Sequence, residues 1–540
     1  MSKPADTPKP EASKGMMQKF LDGVEKVGNK VPHPVIIFLI LIAVVLVLSH
    51  ILFLAGASVT YQVVDTETHQ DVSKYQSGET ADVGDQVVHA DTHQLKTVTT
   101  SARSLLTVSG IRDIYSRLIP NFMGFTAIGL LIVAMIGVGV AEEAGLINAL
   151  IRKLVIISPR WALTYILVFV GILASIASDA GYIVLIPLAG VAFLSIGRHP
   201  LAGIAAGFAA VAGAFTVNML IKPLDAVLTE ITNDAIHMVD PTISIDITAN
   251  LWFSLVSVPF LTIIIAFITD RVIEPRLGPY KGEKPAEVSG AMTPEESRGL
   301  RFALFGLLGV LVFFGFLTIP SWAPLRNPDT GALIGNSPFM NGLIGFIMII
   351  FLVTGICYGK GAKTIKSTDD IIKAMTKAVS GLGGTILLFF VISQFIAYFN
   401  YSNIPTLMAV SMADALKAAD IGSIWLLIGF IIAVLALDLV FTAAIAKWAI
   451  FAPVFVPLFV QMHVNPAAVL AAYRVGDSPF NAISPLNAYF ALVVGFAMKY
   501  DKNAGIGTVV ALMIPYVIWI AILWTVLFVV WYLLGLPWGI

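Results

Sequence analysis

The sequence predicts an all-α integral membrane protein with about nine transmembrane helices and two re-entrant hairpins that form an inverted-topology repeat. Composition is the first reason: 57% of the residues are hydrophobic and 12% are charged, whereas soluble domains carry roughly 25% charge. Apolar runs of about 20 residues, the length that crosses a bilayer, recur along the chain and are the second reason. The third is a pair of polar, proline-containing interruptions within such runs, which favours broken helices around an internal site.

Composition and motifs also exclude several classes of protein. A formal net charge of -1 provides no basic surface for a nucleic acid. The single cysteine, Cys357, excludes an internal disulfide and a cysteine-based metal cluster. The spans carry no GxSxG or HExxH motif and the chain carries no Walker A sequence, so we expect neither an enzyme nor an ATP-driven pump, and no cofactor.

Lysine and arginine in the loops predict the orientation of the crossings, because basic loops face the cytoplasm. These residues concentrate in the N-terminal tail, in 143–160, 271–301 and 358–379, and in 499–502, whereas residues 223–270 contain neither lysine nor arginine. The amino terminus is therefore expected inside and the carboxyl terminus outside. The predicted crossings are residues 34–57, 120–142, 201–222, 250–270, 301–320, 338–357, 380–399, 467–498 and 507–536.

Three short stretches of the chain predict local features. Residues 16–29 fit either an amphipathic surface helix or a frayed tail. The histidines of "HADTH" (89–93) fit a solvated loop better than a metal site. "TPEE" predicts a helix start, with Thr293 as cap and Glu296 closing a capping box. The predicted crossings and loops divide the chain into five segments. They are a cytoplasmic extension (1–33), the first transmembrane helix with a long polar external loop (34–119), the first repeat (120–271), a cytoplasmic linker (272–300) and the second half (301–540).

Two apolar stretches do not fit single crossings and are predicted to be hairpins. Residues 161–196 lie between two cytoplasmic arginines, so the chain must enter the membrane and return. Residues 421–462 do the same from the outside. Each hairpin precedes a helix with a break, "TVNMLIKPLD" in 201–225 and "SPFNAISPLN" in 467–498. Such units in opposite orientation are typical of secondary transporters, which argues against a channel.

Pro485 lies within the second break and explains why that break is expected to line a site. Proline removes a backbone donor and blocks the continuation of a helix. Backbone groups without intrahelical partners are tolerated at membrane depth only where protein or a wet cavity surrounds them. The broken segment is therefore predicted to be a binding surface.

Long stretches of the chain resemble one family. The stretches "SDAGYIVLIPL", "GRHPLAGIAAGFAAVAG", "VIEPRLGPY", "QFIAYFNYSN", "AKWAIFAPVFVPLF" and "YRVGDSPFNAISPLNAYF" are similar to the AbgT family of p-aminobenzoyl-glutamate transporters. The resemblance implies nine transmembrane helices with two hairpins, a homodimer with a bowl-shaped cytoplasmic opening, and a place in the bacterial plasma (inner) membrane. It also implies proton- or sodium-driven movement of a small anionic aromatic substrate, or export of sulfonamide-type antimetabolites, with the direction left open.

The second break supplies most of the predicted substrate-binding residues. Arg474 offers a fixed fork of donors for a substrate carboxylate, and its alternative role is to neutralise Asp477. Function is the favoured interpretation for a charge inside the membrane. Trp448, which the resemblance places on the substrate side, could stack on the aromatic ring, and Lys447 beside it is expected to face water. The remaining predicted substrate residues are Asp477, Asn481, Ser484 and Pro485.

A second set of residues is predicted to handle the coupling ion, H+ or Na+. Asp179 in the first hairpin is the leading candidate, because a desolvated carboxylate can load and release a proton near neutrality. Asp477 is the second. Hydroxyl and amide oxygens also suit hard cations, although the same groups cap broken helices. Those of this set are Thr216, Asn218 and Ser478.

Two charged residues depart from the pattern that the resemblance implies. Lys222 stands in the first break where relatives have a small or neutral residue, and Asp438 stands in the second hairpin where they tend to have asparagine. One hypothesis is that the Lys222 ammonium replaces a bound cation and is balanced by Asp438. The alternative is that Lys222 reaches the outer interface, with Asp225 beginning the external loop. The sequence leaves both open.

Overall fold

The computed structural model describes residues 32–64, 95–156, 158–177, 181–282, 292–334, 337–419, 422–439 and 441–540. Three predictions fall outside the described residues: the possible helix at 16–29, the histidines of 89–93, and Asp179 as the coupling carboxylate. Within the described residues, antiparallel strands β1 (Ser58–Val64) and β2 (Leu95–Ser101) pair Ser58 with Ser101. The segment predicted to be a long polar external loop therefore contains a pair of antiparallel strands.

The described residues of the first half of the chain form helices α1 to α10. They are α1 (Pro34–Leu54), α2 (Val108–Met123), α3 (Ala127–Glu143), α4 (Leu146–Ile156), α5 (Leu163–Ala174), α6 (Ile186–Ser195), α7 (Pro200–Gly213), α8 (Pro223–Ile236), α9 (Leu251–Ile268) and α10 (Glu274–Leu277).

The second half continues the numbering. Its helices are α11 (Pro294–Thr318), α12 (Pro338–Asn341), α13 (Leu343–Ala362), α14 (Thr368–Ser380), α15 (Gly383–Tyr401), α16 (Ile404–Ala418), α17 (Ser423–Asp438), α18 (Ala444–Gln461), α19 (Pro466–Asp477), α20 (Phe490–Met498) and α21 (Ile506–Leu533).

Among the described residues, 8 helical stretches are long and apolar enough to cross a membrane. This confirms an all-α membrane protein. The span predicted at 120–142 is the second part of a longer stretch, Val108–Glu143, in which residues 124–126 separate α2 from α3. The segment 358–379, expected as a basic loop, continues α13 and then forms most of α14, whose cap is Ser367.

The helix start predicted at "TPEE" is confirmed. Thr293 Oγ1 accepts a hydrogen bond from the backbone N–H of Glu296 at 3.1 Å, and the Glu296 carboxylate accepts one from the N–H of Thr293 at 2.8 Å. Pro294 occupies the first turn, where its missing donor costs nothing. The α11 helix that begins there packs against α13, and α13 packs against α3.

Two units of the chain have the same layout, a pair of helices followed by an interrupted helix. In the first, α5 and α6 both contact α7; in the second, α17 and α18 both contact α19. The interrupted helix α7 ends at Gly213 and the chain resumes as α8 at Pro223. Residues 201–222 are therefore not one helical crossing. Asp225 lies buried in the first turn of α8, so the expectation that it begins an external loop was wrong.

The second interruption follows α19. A short 3-10 turn (Pro479–Ala482) comes next, and α20 begins only at Phe490. Pro485 lies in the non-helical stretch between them, as expected of a residue that blocks helical continuation. The 3-10 turn contacts α7, so the two breaks meet inside the molecule.

Glycines permit close packing within each unit. A side chain at Gly203 of α7 would collide with the carbonyl oxygen of Ala189 in α6. A side chain at Gly476 of α19 would meet Val434 of α17 at 2.7 Å. In both units, therefore, the interrupted helix lies directly against a hairpin helix, and this contact fixes the position of the break.

Candidate functional site

Arg474, in the last turn of α19, joins the second break to the first. Its Nη1 donates to Asp225 Oδ1 at 2.6 Å and to the carbonyl of Thr216 at 2.7 Å, and its Nε donates to Asn250 Oδ1 at 3.0 Å. The guanidinium is buried. The acidic partner of Arg474 is Asp225, so the alternative in which Arg474 neutralises Asp477 was wrong. The guanidinium points away from α19 and towards α8.

Thr216 and Ser478 form a second bridge between the breaks. Thr216 Oγ1 donates to the carbonyl of Arg474 at 2.8 Å, and the Thr216 N–H donates to Ser478 Oγ at 3.0 Å. The two hydroxyls lie 2.5 Å apart. In this conformation the hydroxyl groups that were candidates for binding a coupling ion satisfy backbone groups released by the two breaks.

Lys447 forms a buried cluster with two carboxylates. Its Nζ lies 2.7 Å from Asp477 Oδ1 and also binds Asp438 Oδ1. Tyr473 OH donates to Asp477 Oδ1 at 2.7 Å. All three charged side chains have no exposed surface, so the expectation that Lys447 faces water was wrong. We call Lys447, Asp438, Asp477 and Tyr473 the Lys447 cluster.

Lys222 is also buried, but its ammonium has neutral partners. It donates to Ser175 Oγ at 3.3 Å and to the carbonyl of Phe215. Among the described residues, no carboxylate forms an ion pair with Lys222. The postulated balance by Asp438 was wrong because Lys447 already binds that carboxylate. The postulated reach to the interface was wrong because only 1% of Lys222 is exposed.

The other predicted residues hold the breaks in place. Trp448 is fully buried: its Nε1 donates to Leu228 O at 3.1 Å and to Thr232 Oγ1 at 3.0 Å, so it packs α18 on α8. Asn218 donates to the carbonyl of Leu173 at 3.0 Å.

The second break is held in the same way. The Asn481 amide donates to the carbonyl of Asp477 at 2.8 Å. The Ser484 hydroxyl donates to the carbonyl of Leu439 at 2.9 Å. Both bonds satisfy carbonyl groups at the ends of helices, and the second ties the break to the tip of the hairpin α17–α18.

A cavity of about 180 Å³ lies where the two hairpin tips meet the two breaks. Tyr182 follows the tip of the first hairpin, and its ring stacks on that of Tyr489 with centroids 4.3 Å apart and planes inclined by 13°. Thr442 belongs to the tip of the second hairpin. The lining residues are Tyr182, Phe215, Thr442, Asn481, Asn487, Ala488 and Tyr489.

Of these lining residues, sequence reasoning identified Asn481 alone. A usable signal existed for two others, because Tyr182 closes "SDAGY" in the first hairpin and Tyr489 closes "SPLNAY" at the second break. Aromatic residues beside polar interruptions of apolar runs are candidates for a flat-ring site. Phe215 and Thr442 carried no such signal.

A smaller space of about 10 Å³ lies beside Arg474, bordered by Asn218, Asp225 and Asn250. It has room for about one water molecule. A polar core of buried charges, placed where two broken helices meet beneath two hairpins, defines a membrane transport protein.

Comparison with known proteins agrees with this class. Residues 19–540 match the AbgT putative transporter family, and the chain belongs to this family. It is 31% identical to the p-aminobenzoyl-glutamate transport protein of Escherichia coli, with 96% of each chain covered. The fold is similar to the crystal structure of the Alcanivorax borkumensis YdaH transporter, with TM-score 0.83, 36% identity, and coverage of 94% of this chain and 100% of that one. It is also similar to Neisseria gonorrhoeae MtrF, described as illuminating a class of antimetabolite efflux pumps, with TM-score 0.82, 36% identity, and coverage of 95% and 97%.

Proposed function

We propose that the chain is a secondary active transporter of p-aminobenzoyl-glutamate or a related aromatic dicarboxylic anion. A proton or sodium gradient drives it through a site at the membrane midplane that opens alternately to each side. The observation that carries the proposal is the cavity between the stacked Tyr182–Tyr489 pair and the second break. Its position at the meeting of two inverted units is where secondary transporters bind their substrates.

The chemistry of the lining supports this class of substrate. A flat aromatic ring can stack between or beside the rings of Tyr182, Tyr489 and Phe215. The amides of Asn481 and Asn487 border the same space and offer donors and acceptors for an amide-containing anion. Small-molecule sites usually occupy about 300–1,000 Å³, so the cavity represents a closed state that must enlarge for binding.

Arg474 supplies the charge for a substrate carboxylate. A guanidinium binds a carboxylate through two parallel hydrogen bonds. Since Asp225 occupies Arg474 Nη1 in this conformation, binding requires an exchange of partners at that nitrogen. Such an exchange would loosen the bridge between the two breaks, which couples substrate binding to the rearrangement of the two units.

A second candidate function is export of sulfonamide-type antimetabolites through the same site. The similarity to MtrF, whose description names antimetabolite efflux pumps, favours it. A sulfonamide antimetabolite shares the aromatic ring of the first substrate but lacks its two carboxylates. Arg474 should therefore contribute less to its binding than the cavity aromatics do.

We propose the orientation in the membrane from the charges of the loops, and the dimer and the bacterial plasma membrane from membership of the family. We place the protein in the bacterial plasma membrane as a homodimer, with a cytoplasmic amino terminus and an external carboxyl terminus. Exposed apolar side chains on α11, such as Phe305 (70%) and Val312 (64%), face lipid or the second subunit. Cross-linking in native membranes tests the dimer, and protease protection of tagged termini tests the orientation.

Uptake into proteoliposomes tests the function. Labelled p-aminobenzoyl-glutamate is offered under an imposed proton gradient, an imposed sodium gradient or neither, with the protein inserted in known orientation. We expect saturable uptake that one gradient accelerates, and loss of uptake in the Arg474→Ala variant. Sulfonamides serve as competitors. Flux that fails to saturate, or that is equal in empty liposomes, would overturn the proposal.

A further inference from the structure

Two helix ends converge on the ammonium of Lys447. Asp438 is the last residue of α17 and Asp477 is the last residue of α19. Lys447 lies in the first turn of α18, and its Nζ contacts one carboxylate oxygen of Asp438 and one of Asp477. Helix C-termini carry partial negative charge and favour a cation. The ammonium therefore occupies the point where two carboxylates and two helix dipoles attract positive charge together.

The same point has the features of a binding site for a small cation. Discontinuous helices of secondary transporters present their C-terminal ends to the coupling cation. Asp438 Oδ2 and Asp477 Oδ2 are both buried and, among the described residues, have no hydrogen-bond partner. With both carboxyl groups ionised, the two carboxylates and one ammonium leave one negative charge in excess in the cluster. A site of this composition attracts a cation strongly, and the lysine fills it.

We propose that the Lys447 ammonium is a resident cation, which occupies the position that a coupling sodium ion would need between hairpin α17–α18 and the second break. The inference rests on the proposed transport function and specifies its ion dependence. Removal of Lys447 leaves the oxygens of Asp438, Asp477 and Tyr473, which suit sodium as hard oxygen ligands. The wild-type carrier therefore works without sodium, and a variant without the ammonium acquires a need for it.

Sodium-dependent thermal stability tests the inference without any transport assay. The purified protein is unfolded in detergent in sodium chloride or in choline chloride at equal ionic strength. We expect the same Tm in both salts for the wild type. For Lys447→Ala, which removes the charge and opens space, we expect a low Tm in choline. Sodium should raise the Tm of this variant. At the same temperature, its ratio of folded to unfolded protein should be at least about tenfold higher in sodium chloride than in choline chloride.

Three further variants separate the charge effect from simple damage. Lys447→Met removes the charge but keeps the volume, so its Tm should fall without recovery in sodium. The double variant Lys447→Ala/Asp438→Asn restores the wild-type net charge of the cluster and should fold in choline. Lys377→Ala breaks an exposed pair with Glu143, in which the side chains are 71% and 45% exposed, and should change neither Tm nor its sodium response.

The outcomes are distinguishable from failure of the transport proposal. A wild-type Tm that rises in sodium but not in choline overturns the resident cation, whatever the substrate. So does a Lys447→Ala variant that is equally unstable in both salts while the double variant folds. The sodium response of Lys447→Ala supports the inference even where p-aminobenzoyl-glutamate is not carried.

Discussion

Arg474 Nη1 and Asp225 Oδ1 lie 2.6 Å apart although the two residues are 249 positions apart in the chain. The contact joins the end of α19 to the start of α8 across the meeting point of the two breaks. The two side chains are only 3% and 12% exposed, so each charge depends on the other for compensation. A bridge of this kind couples the two repeats, and any ligand that takes one partner changes how the repeats are held.

Removal of one partner of this bridge should be strongly destabilising. Asp225→Asn leaves the guanidinium buried without a carboxylate, and we expect a loss of about 3–5 kcal/mol in the free energy of unfolding. Thermal unfolding in detergent measures it. Arg117→Ala serves as the control, since Arg117 is 66% exposed beside Asp113 and its loss should cost less than about 1 kcal/mol. A loss at Asp225 no greater than at Arg117 would contradict a structural bridge.

The stacked ring pair should determine affinity for the aromatic part of the substrate. Tyr489→Leu removes one ring of the cavity, and we expect KM for p-aminobenzoyl-glutamate to rise about threefold to tenfold, equivalent to about 0.5–1.5 kcal/mol. Concentration-dependent uptake into proteoliposomes gives KM and kcat separately. Tyr165→Leu, on the surface of α5 with 37% exposure, is the matched control. Equal KM values for the two variants would show that the cavity does not bind the ring.

Trp448 should act through packing in the conformation described. Trp448→Phe loses the hydrogen bonds to Leu228 O and Thr232 Oγ1 between α18 and α8, at a cost of about 1–3 kcal/mol. We expect a lower Tm with little change in KM, and Trp425→Phe, 69% exposed, should change neither. The opposite pattern, a higher KM at unchanged Tm, would instead place Trp448 against the substrate in another state of the transport cycle.

His199 should make stability depend on pH. It caps α7 by accepting the N–H of Leu201 at 3.3 Å. Burial lowers the pKa of His199 below its usual value of 6.5, although Glu274 and Asp501 oppose the shift. When the pKa of a group is lower in the folded than in the unfolded protein, the group stabilises the fold at pH values above its pKa in the unfolded protein. This stabilisation is lost as the pH falls through the pKa in the folded protein. We expect Tm to drop below about pH 6.5 for this reason.

His199→Asn provides the control for that effect. In the second unit, Asn465 caps α19 through an equivalent bond to the N–H of Ala467 at 2.8 Å, and each cap is followed by a proline. Asparagine keeps the acceptor and does not titrate. The variant should therefore keep its Tm where the wild type loses stability. An unchanged acid-induced decline in His199→Asn would assign the effect to other groups.

The overall fold was predictable because the length and hydropathy of the apolar runs depend directly on the thickness of the bilayer. Bilayer thickness sets the length of an apolar helix, and proline marks where helices are interrupted, as at Pro223 and Pro485. The strands flanking the external loop also left a signal. "SVTYQVV" and "LKTVTTS" are rich in β-branched residues, which is typical of strands.

The pairing of buried charges was not predictable from the sequence. Arg474 lies three residues before Asp477, a spacing at which helical side chains can meet, yet it binds Asp225. Lys447 and Asp438 lie on different arms of a hairpin, and only the turn between the arms brings them together. Periodicity reports which residues share a helix face, whereas pairing across elements depends on how breaks and turns direct each side chain.

The central claim is that the cavity between the hairpin tips and the breaks binds the substrate and opens to water. Cysteine labelling tests it directly, because Cys357→Ser removes the single native thiol. Asn487→Cys in that background should react with a membrane-impermeant thiol reagent during turnover, and p-aminobenzoyl-glutamate should slow the reaction. If the reagent failed to reach Asn487→Cys from either side, or if saturating substrate left its rate of labelling unchanged, the cavity would not be the transport site.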